Sequence, residues 1–389
     1  MHTGRLVFAQ LLDFLPRGDF NRCVRRYRGN YRLRRFSCFD QFLRMAFGQL
    51  TGRKSLRDIV ICLGAMQPKL YHAGFRSHIR RTTLADANER RDWRIYADFA
   101  QTLIHTARYL YAGEDFGVEL DETAYVLDST TIDLCLSLFP WAHYRKRQGA
   151  VKLHTLMDLR GSIPCFVRVS DGKMHDVNFL DELVFDPGAL YIMDRGYISF
   201  KRLWRLSQSA AYFLIRSRNK LIHQRKCSTP VDRSTGLRSD QVIRLSGANT
   251  AEQYPAPLRR VTFFDIDQHR RYVFLTNHFG LDALTVADLY KCRWSVELFF
   301  KWIKQHLRIE AFFGTSENAV KTQVWTAISI YVLVTIVKKE LGIDRSLREI
   351  LQILSVCLFE KVPMWQALTS IPLETPEDTC RKSLPLFDF

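Results

Sequence analysis

Two aspartates stand at the ends of short apolar segments, where a β-strand would deliver a carboxylate to the edge of a sheet. Asp128 ends the run VLD and Asp194 ends the run YIMD. Carboxylates fixed at strand ends can hold Mg²⁺, which prefers hard oxygen ligands and retains water molecules for a substrate. A lone aspartate in such a place is more often a strand terminator or a helix cap. The sequence leaves open whether the two side chains meet.

A third carboxylate, Glu297, lies in a segment with helical periodicity. On a helix that turns 100° per residue, Tyr290, Arg293 and Lys304 lie within a stripe about 60° wide around Glu297. This combination of a carboxylate, two cations and a phenol can hold a metal ion and bind phosphate oxygens beside it. A solvent-facing helix with ion pairs four residues apart, such as Arg293 with Glu297, explains the spacing equally well.

The elements that would position these residues alternate between strands and helices. Strand-like runs cover residues 125–128, 151–158, 165–170, 189–194 and 211–216, and helix-like runs cover 178–185 and 200–209. Residues 220–285 contain further strand-like segments separated by turns, which we interpret as a β-rich insertion. Long helices are predicted over 285–307 and 316–341. This pattern is typical of a mixed α/β sheet.

The N-terminal segment is predicted to be helical and is strongly basic. Residues 1–60 contain thirteen basic and four acidic side chains, and the basic residues include Arg22, Arg25, Arg26 and Arg28. Arginines next to aromatic residues such as Tyr27 suit phosphate contact combined with base stacking. A solvated helix face accounts for the pattern about as well.

The whole chain has 389 residues with 57 Lys+Arg and 40 Asp+Glu, a formal net charge of +17. This charge predicts a polyanionic partner, either nucleic acid or an anionic membrane surface. The apolar run over residues 324–337 is shorter than the roughly 20 residues that a bilayer requires, and we interpret it as a core helix. Nine scattered cysteines without a C-x-x-C pair indicate neither a zinc knuckle nor a disulfide framework. We expect a soluble cytoplasmic protein associated with the nucleoid.

Several other polar residues are candidates for supporting roles. His154 lies on a predicted strand, and His175 and Asp176 follow a turn in the segment SDGKMHD. Each could support a metal site from behind the ligands, or could serve structure alone. The basic run that contains Arg145 and Lys146 either faces DNA or forms a solvated loop.

The run Tyr290-x₂-Arg293-x₃-Glu297-x₆-Lys304 resembles the Y-x₂-R-x₃-E-x₆-K signature of DDE transposases of bacterial insertion sequences, in the fourth insertion-sequence family. Asp128 in LDST and Asp194 in MDRGY strengthen the resemblance. It implies a ribonuclease-H-like fold whose acidic triad, Asp128, Asp194 and Glu297, binds two Mg²⁺ or Mn²⁺ ions. It also implies that Tyr290, Arg293 and Lys304 contact transposon-end phosphates, and that a homodimer pairs two ends.

This resemblance implies five segments along the chain. They are a helical DNA-binding domain (1–118), a first catalytic segment (119–219), a β-rich insertion (220–285), a second catalytic segment with the glutamate helix (286–340) and a helical tail (341–389). Some relatives carry a stacking tryptophan in the insertion, but residues 220–285 contain none. Trp294 is expected to be a packing residue.

The predicted function is metal-dependent cleavage at transposon ends followed by transfer of the 3′-OH into target DNA. Two alternatives remain open from the sequence. One is a ribonuclease-H-like nuclease that cuts without strand transfer, and the other is a non-catalytic DNA-binding regulator derived from a transposase.

Overall fold

The computed structural model describes residues 4–33, 35–76, 78–145, 148–217, 221–306 and 312–369. The described N-terminal part is helical up to residue 111, as predicted. Two of its helices begin with a serine cap, because Ser37 and Ser55 accept hydrogen bonds from the backbone N–H groups of Asp40 and Asp58. The seven helices are α1 (Val7–Asp13), α2 (Arg17–Arg26), α3 (Cys38–Leu50), α4 (Leu56–Ala65), α5 (Gln67–Leu70), α6 (Arg81–Arg90) and α7 (Arg94–Tyr111).

Ten strands in the described part of the chain form one mixed sheet. The order is β2-β3-β1-β5-β6-β10-β9-β8-β7, with β4 also paired to β3. β1, β5 and β6 run parallel, and the other pairs are antiparallel. The predicted mixed α/β class is therefore confirmed. The strands are β1 (Ala124–Leu134), β2 (His143–Arg145), β3 (Gln148–Asp158), β4 (Ile163–Asp171), β5 (Leu190–Met193), β6 (Tyr212–Arg216), β7 (His223–Thr229), β8 (Leu237–Leu245), β9 (Leu258–Asp265) and β10 (Arg270–Thr276).

The β-rich segment after residue 220 extends this sheet. Phe274 of β10 pairs with Arg216 of β6, so β10, β9, β8 and β7 follow the parallel strands without interruption. The edge strand β7 was not predicted from the sequence, because its polar run HQRKCST lacks an apolar face.

Seven further helices follow β5 in the described chain: α8 (Phe200–Gln208), α9 (Ala248–Gln253), α10 (Ala283–Lys291), α11 (Trp294–His306), α12 (Glu317–Glu340), α13 (Leu347–Cys357) and α14 (Met364–Thr369). The prediction of one helix over 285–307 is wrong, because the chain breaks between α10 and α11. There the N–H groups of Arg293, Ser295 and Val296 bond to carbonyls three residues back, a tighter 3₁₀-like turn. The break lets α10 pack on β9 while α11 packs on β1.

The predicted helix over 178–185 is also wrong. A short 3₁₀ helix, Asp176–Asp181, occupies its first part. Residues 182–189 continue as turn and irregular chain before β5. The apolar residues that suggested a longer helix still face inward, since Phe179 and Leu180 are buried.

α12 is the central helix of the protein. Residues 324–337 are all buried, and α12 packs against α7, α3 and α11. Among the described helices, α12 alone has the length and composition to cross a bilayer, yet 94% of its most apolar window is buried inside the protein. The prediction of a core helix is confirmed. One hydrophobic cluster joins α12 to the sheet and to both terminal helical regions, so the domain boundary at residue 118 stays a prediction.

Candidate active site

Asp128 and Asp194 come together because β1 and β5 are parallel neighbours. Asp194 directly follows β5, as predicted, but the predicted strand end at Asp128 is wrong, because β1 stays paired with β3 and continues to Leu134. β1 and β5 pair in register from Ala124 opposite Leu190 to Leu127 opposite Met193, and Asp128 and Asp194 follow directly. Side chains alternate across a sheet, so both carboxylates point to the face that also carries Val126 and Ile192. Asp194 also accepts a hydrogen bond from the N–H of Arg195 at 2.5 Å. It therefore caps the turn after β5 and lies beside Asp128.

Helix α11 brings the third carboxylate to this face. The Arg293 guanidinium bridges two acids, with Nη1 2.8 Å from Asp128 Oδ2 and Nη2 2.5 Å from Glu297 Oε1. Lys304 Nζ donates to the carbonyl of Thr131 on β1 at 2.8 Å. Arg293 lies just before α11, and its side chain is only 15% exposed, so this stripe of residues faces the sheet and not the solvent. Trp294 is 54% exposed, so its expected role in packing is wrong.

Tyr290 belongs to α10 and lies beyond the helix break. It is buried, with its ring centroid 4.7 Å from that of Phe274 on β10. Burial raises the pKa of Tyr290 to about 12, with Asp194 acting in the same direction and Arg293 and Arg216 opposing it. Tyr290 therefore packs at the margin of the site as a neutral phenol.

Arg216 is a site residue that the sequence reasoning missed. It ends β6, the third parallel strand, and its guanidinium carbon lies 5.0 Å from the Tyr272 ring centroid. Because Ile215 pairs with Met193, Arg216 follows its strand at the level of Asp194 and on the same face of the sheet. The available signal was a cation at the end of the strand next to the one that carries Asp194.

The carboxylates influence one another electrostatically. Burial raises the pKa of Asp128 to about 6, and the charges of Asp194 and Glu297 add to the rise, while the Ser129 N–H and Arg293 oppose it. A cavity of about 450 Å³ opens beside Asp128 and Glu297, and Lys301 and Lys304 also line it. The site therefore combines clustered acids with cationic side chains at its edge.

The donor chemistry of this site fits a hard divalent cation. Carboxylate oxygens are the protein ligands that Mg²⁺ prefers, and Asp128, Asp194 and Glu297 are the residues that would hold it. In the described residues, no three Asp, Glu, His or Cys side chains are close enough together to surround one ion. Arg293 lies between two of the three acids in this arrangement.

A second polar group, which we call the rear cluster, occupies the opposite face of β1. It consists of Ser129, Lys152, His154 and Asp176. The Ser129 hydroxyl donates to Asp176 Oδ1 at 2.7 Å, and Lys152 Nζ donates to the same oxygen at 3.1 Å. His154 is fully buried, with Nε2 3.0 Å from the Ser170 hydroxyl and Nδ1 3.9 Å from Asp176. Of the three predicted supporting residues, His154 and Asp176 thus lie behind Asp128, whereas the His175 side chain is exposed.

The predicted DNA-binding arginines lie on α2 and just after it, in the N-terminal part of the chain. Phe20, Cys23 and Val24 form the buried face of α2, while Arg22, Arg25, Arg26 and Arg28 are exposed. Arg22 pairs with Asp19, and Arg26 pairs with Asp98 at 2.5 Å. Arg145 ends β2, but its side chain and Lys146 fall outside the described residues.

Comparison with known proteins adds family information to this geometry. The family described as "Transposase DDE domain" matches residues 119–333, and a domain of unknown function matches residues 3–76. A protein of Sinorhizobium fredii whose name describes it as a transposase is 31% identical over 285 residues, covering 72% of this chain and 77% of that protein.

Two proteins named as transposases for insertion sequence elements are also similar. The one from Geobacillus stearothermophilus is 33% identical over 210 residues, which is 54% of this chain and 55% of that protein. The one from Synechocystis is 25% identical over 230 residues, or 56% and 62%.

Among solved structures, a piggyBac transposase synaptic complex with hairpin DNA aligns over 95% of this chain and 81% of that chain, at 11% identity and a TM-score of 0.47. That score is too low to support an assignment of fold. The sequence relatives lend no support to the nuclease or regulator alternatives. The chain therefore belongs to the transposase DDE domain family and is a DNA transposase, an enzyme that cleaves DNA and transfers the cut strand.

Proposed function

We propose that Asp128, Asp194 and Glu297 form the acidic triad of a ribonuclease-H-like core, in an insertion-sequence transposase of the fourth family. The observation that supports this proposal is the parallel register of β1 and β5, which ends at Leu127 opposite Met193 and sets the two aspartates side by side. α11 adds Glu297 from a different part of the chain. The proposed ligands thus come from rigid elements, as an accurate site requires.

The proposed cofactor is Mg²⁺, with Mn²⁺ as a substitute and two ions in each site. Such a pair stabilises the attacking and leaving oxygens of an in-line phosphoryl displacement. The three carboxylates would hold these ions beside a cavity of about 450 Å³, which would receive the scissile phosphate. The Ser129 hydroxyl donates a hydrogen bond to Asp176, so we assign Ser129 a structural role on β1 and not nucleophilic attack.

Cationic residues around the triad would bind the DNA backbone. We assign phosphate contacts at the transposon end to Tyr290, Arg293 and Lys304. Lys304 is well placed, because it lines the cavity next to Glu297. Tyr290 would act from the margin, since its ring is packed against β10.

Recognition of the transposon ends is assigned to the basic N-terminal surface. Arg22, Arg25, Arg26 and Arg28 supply exposed positive charge there, and Arg145 and Lys146 are further candidates. A homodimer would pair two transposon ends before cleavage. We place this reaction in the cytoplasm, at the nucleoid.

His154 and Asp176 would support the site from the rear cluster. Asp176 holds Ser129, the residue directly after Asp128, and Lys152 fixes the position of Asp176. This chain of contacts restrains the middle of β1, next to Asp128. His175 would contribute less, because its side chain is exposed.

The test uses purified protein, Mg²⁺ and a labelled linear DNA that carries the ends of the encoding element. We expect excised and joined products from the native protein and neither product from Asp194→Asn. Asp265→Asn is the matched control, because Asp265 also ends a strand and caps a turn at the Gln268 N–H, but it lies on β9. Undiminished cleavage by Asp194→Ala would contradict the triad, and cleavage without joining would support the nuclease alternative.

A further inference from the structure

Arg293 occupies an unusual position between two carboxylates that belong to different elements. Its two Nη atoms bind Asp128 at 2.8 Å and Glu297 at 2.5 Å, and these acids come from β1 and α11. Its buried Nε–H has no hydrogen-bond acceptor among the described residues. The guanidinium is thus held by the two acids, while one of its donors is unsatisfied.

The electrostatics of the site explain why a cation belongs there. The Arg293 and Asp128 side chains are only 15% and 18% exposed, so water screens the charges between them weakly. Arg293 contacts two of the three acids and supplies a single positive charge between them. A divalent cation would compensate these acids more completely than Arg293 does.

We propose that Arg293 is an exchangeable counter-ion of the carboxylate cluster. In the free enzyme it binds Asp128 and Glu297, and it gives up these oxygens when a divalent cation binds. The released guanidinium is then available for a phosphate of the DNA backbone. This proposal rests on the proposed function, because it takes Asp128 and Glu297 as the metal-binding residues.

The exchange follows from competition for the same oxygens. Arg293 contacts Asp128 Oδ2 and Glu297 Oε1, so it opposes metal binding at these atoms both by occupying them and by its like charge. Guanidinium groups bind phosphate through paired N–H donors, and DNA would therefore draw Arg293 away from the acids. Because coupling between two ligands is reciprocal, DNA and metal should each strengthen binding of the other.

A matched arginine elsewhere in the chain provides a control. Arg259 forms a buried pair with Asp240, with Nη2 2.8 Å and Nε 3.0 Å from the carboxylate oxygens, and it also donates to the carbonyl of Leu281. Arg259 therefore pairs with one acid only, and its Nε donates one of the hydrogen bonds. We expect Arg259 to act in structure alone.

The experiment measures Mn²⁺ and Mg²⁺ binding to the full chain without DNA, by calorimetry and by the metal-dependent shift in the unfolding midpoint. Arg293→Gln should bind Mn²⁺ about tenfold more tightly than the native protein, within the usual range of coupling between sites. Its unfolding midpoint should fall without metal and recover with metal. The Mn²⁺ affinity of Arg293→Lys should lie between the affinities of the native protein and of Arg293→Gln. Arg259→Gln should lose stability that metal does not restore, with unchanged metal affinity.

The results separate the two proposals. If Arg293→Gln binds metal as weakly as the native protein or more weakly, while Asp128→Asn abolishes binding, the exchange is wrong and the metal site stands. If Asp128→Asn leaves metal binding unchanged, the carboxylates are not the ligands, and both proposals fail. A purely structural role for Arg293 predicts weaker metal binding in Arg293→Gln, opposite to the exchange.

Discussion

The two faces of strand β1 differ sharply at the point where the strand meets the cavity. Asp128 and Ser129 are consecutive residues, yet they point to opposite faces because side chains alternate along a strand. We call the face with Asp128, Asp194, Glu297 and Arg293 the active face. On it, Glu297 is 33% exposed, and Asp128 and Glu297 share the bridging Arg293. On the rear cluster, Asp176 holds Ser129 and Lys152 together, and His154 is fully buried.

This difference assigns ligand binding to the active face and structural support to the rear cluster. The active face combines its acids with Arg293 and with the lysines that line the cavity, which suits an external cation and a phosphate. The rear cluster uses hydrogen bonds from β1 and β3 to fix the start of the Asp176–Asp181 helix and the loop before it. Changes on the active face should therefore reduce activity, while changes in the rear cluster should reduce stability first.

The largest expected effect comes from a pair of variants, one on each side of this comparison. Glu297→Gln should lower the cleavage rate by about 10³-fold, because it removes a charged ligand from a set that acts as a unit. Its free energy of unfolding should change by less than about 1 kcal/mol, since the lost ion pair is partly exposed. Ser129→Ala should keep cleavage within about tenfold of native. Rate assays and urea unfolding measure both variants. Equal losses of cleavage rate would contradict the division between the active face and the rear cluster.

The next effect concerns His154 and acid stability. Burial lowers the pKa of His154 from 6.5 to about 4. A depressed folded-state pKa means that the stabilisation is complete above the unfolded value and is lost as pH falls from about 6.5 toward 4. The native protein should lose about 2–3 kcal/mol more than His154→Phe between pH 7.5 and 4.5. Urea unfolding at both pH values measures this, and parallel losses would show that His154 does not titrate as proposed.

A smaller effect tests whether the rear cluster positions the active face. Lys152→Met removes the ammonium that binds Asp176 and the carbonyl of Met174. We expect the free energy of unfolding to fall, because Asp176 loses a charged hydrogen-bond partner, and metal affinity or cleavage to fall by about tenfold at most. Lys321→Met is the control, since Lys321 is similarly covered but pairs with Glu317 on α12. If Lys152→Met and Lys321→Met reduce metal affinity and cleavage equally, the rear cluster does not position the active face.

The smallest effect should arise outside both faces, on α2. Double replacement of Arg22 and Arg25 by glutamine should weaken DNA binding several-fold at low salt without changing sequence preference. If each arginine neutralises one phosphate, the slope of log affinity against log salt should become shallower by about 1.8. Titrations at several salt concentrations measure this slope. An unchanged slope would assign the exposed arginines to a solvated helix face.

The sequence by itself determined the residue types and the local elements. The apolar run that ends at Asp194 predicted the end of β5, because a buried strand needs an apolar face and its end reaches solvent. The run that ends at Asp128 predicted a strand but not its length, since β1 continues to Leu134 in pairing with β3. The apolar segment of residues 324–337 predicted a core helix, and residues 324–337 are buried in α12. The spacing of Arg293 and Glu297 predicted their ion pair, because residues four apart share a helix face.

Only the tertiary structure decided how these elements meet. Asp128 and Arg293 are 165 residues apart, and their contact depends on the parallel pairing of β1 with β5 and on the docking of α11. The break after α10, which separates Tyr290 from Glu297, arises from packing against two different strands, and helical periodicity contains no such information. Arg216 and Lys152 gained their places from neighbouring strands. Local propensity acts over a few residues, whereas this site is assembled by contacts between strands and helices that are distant in the sequence.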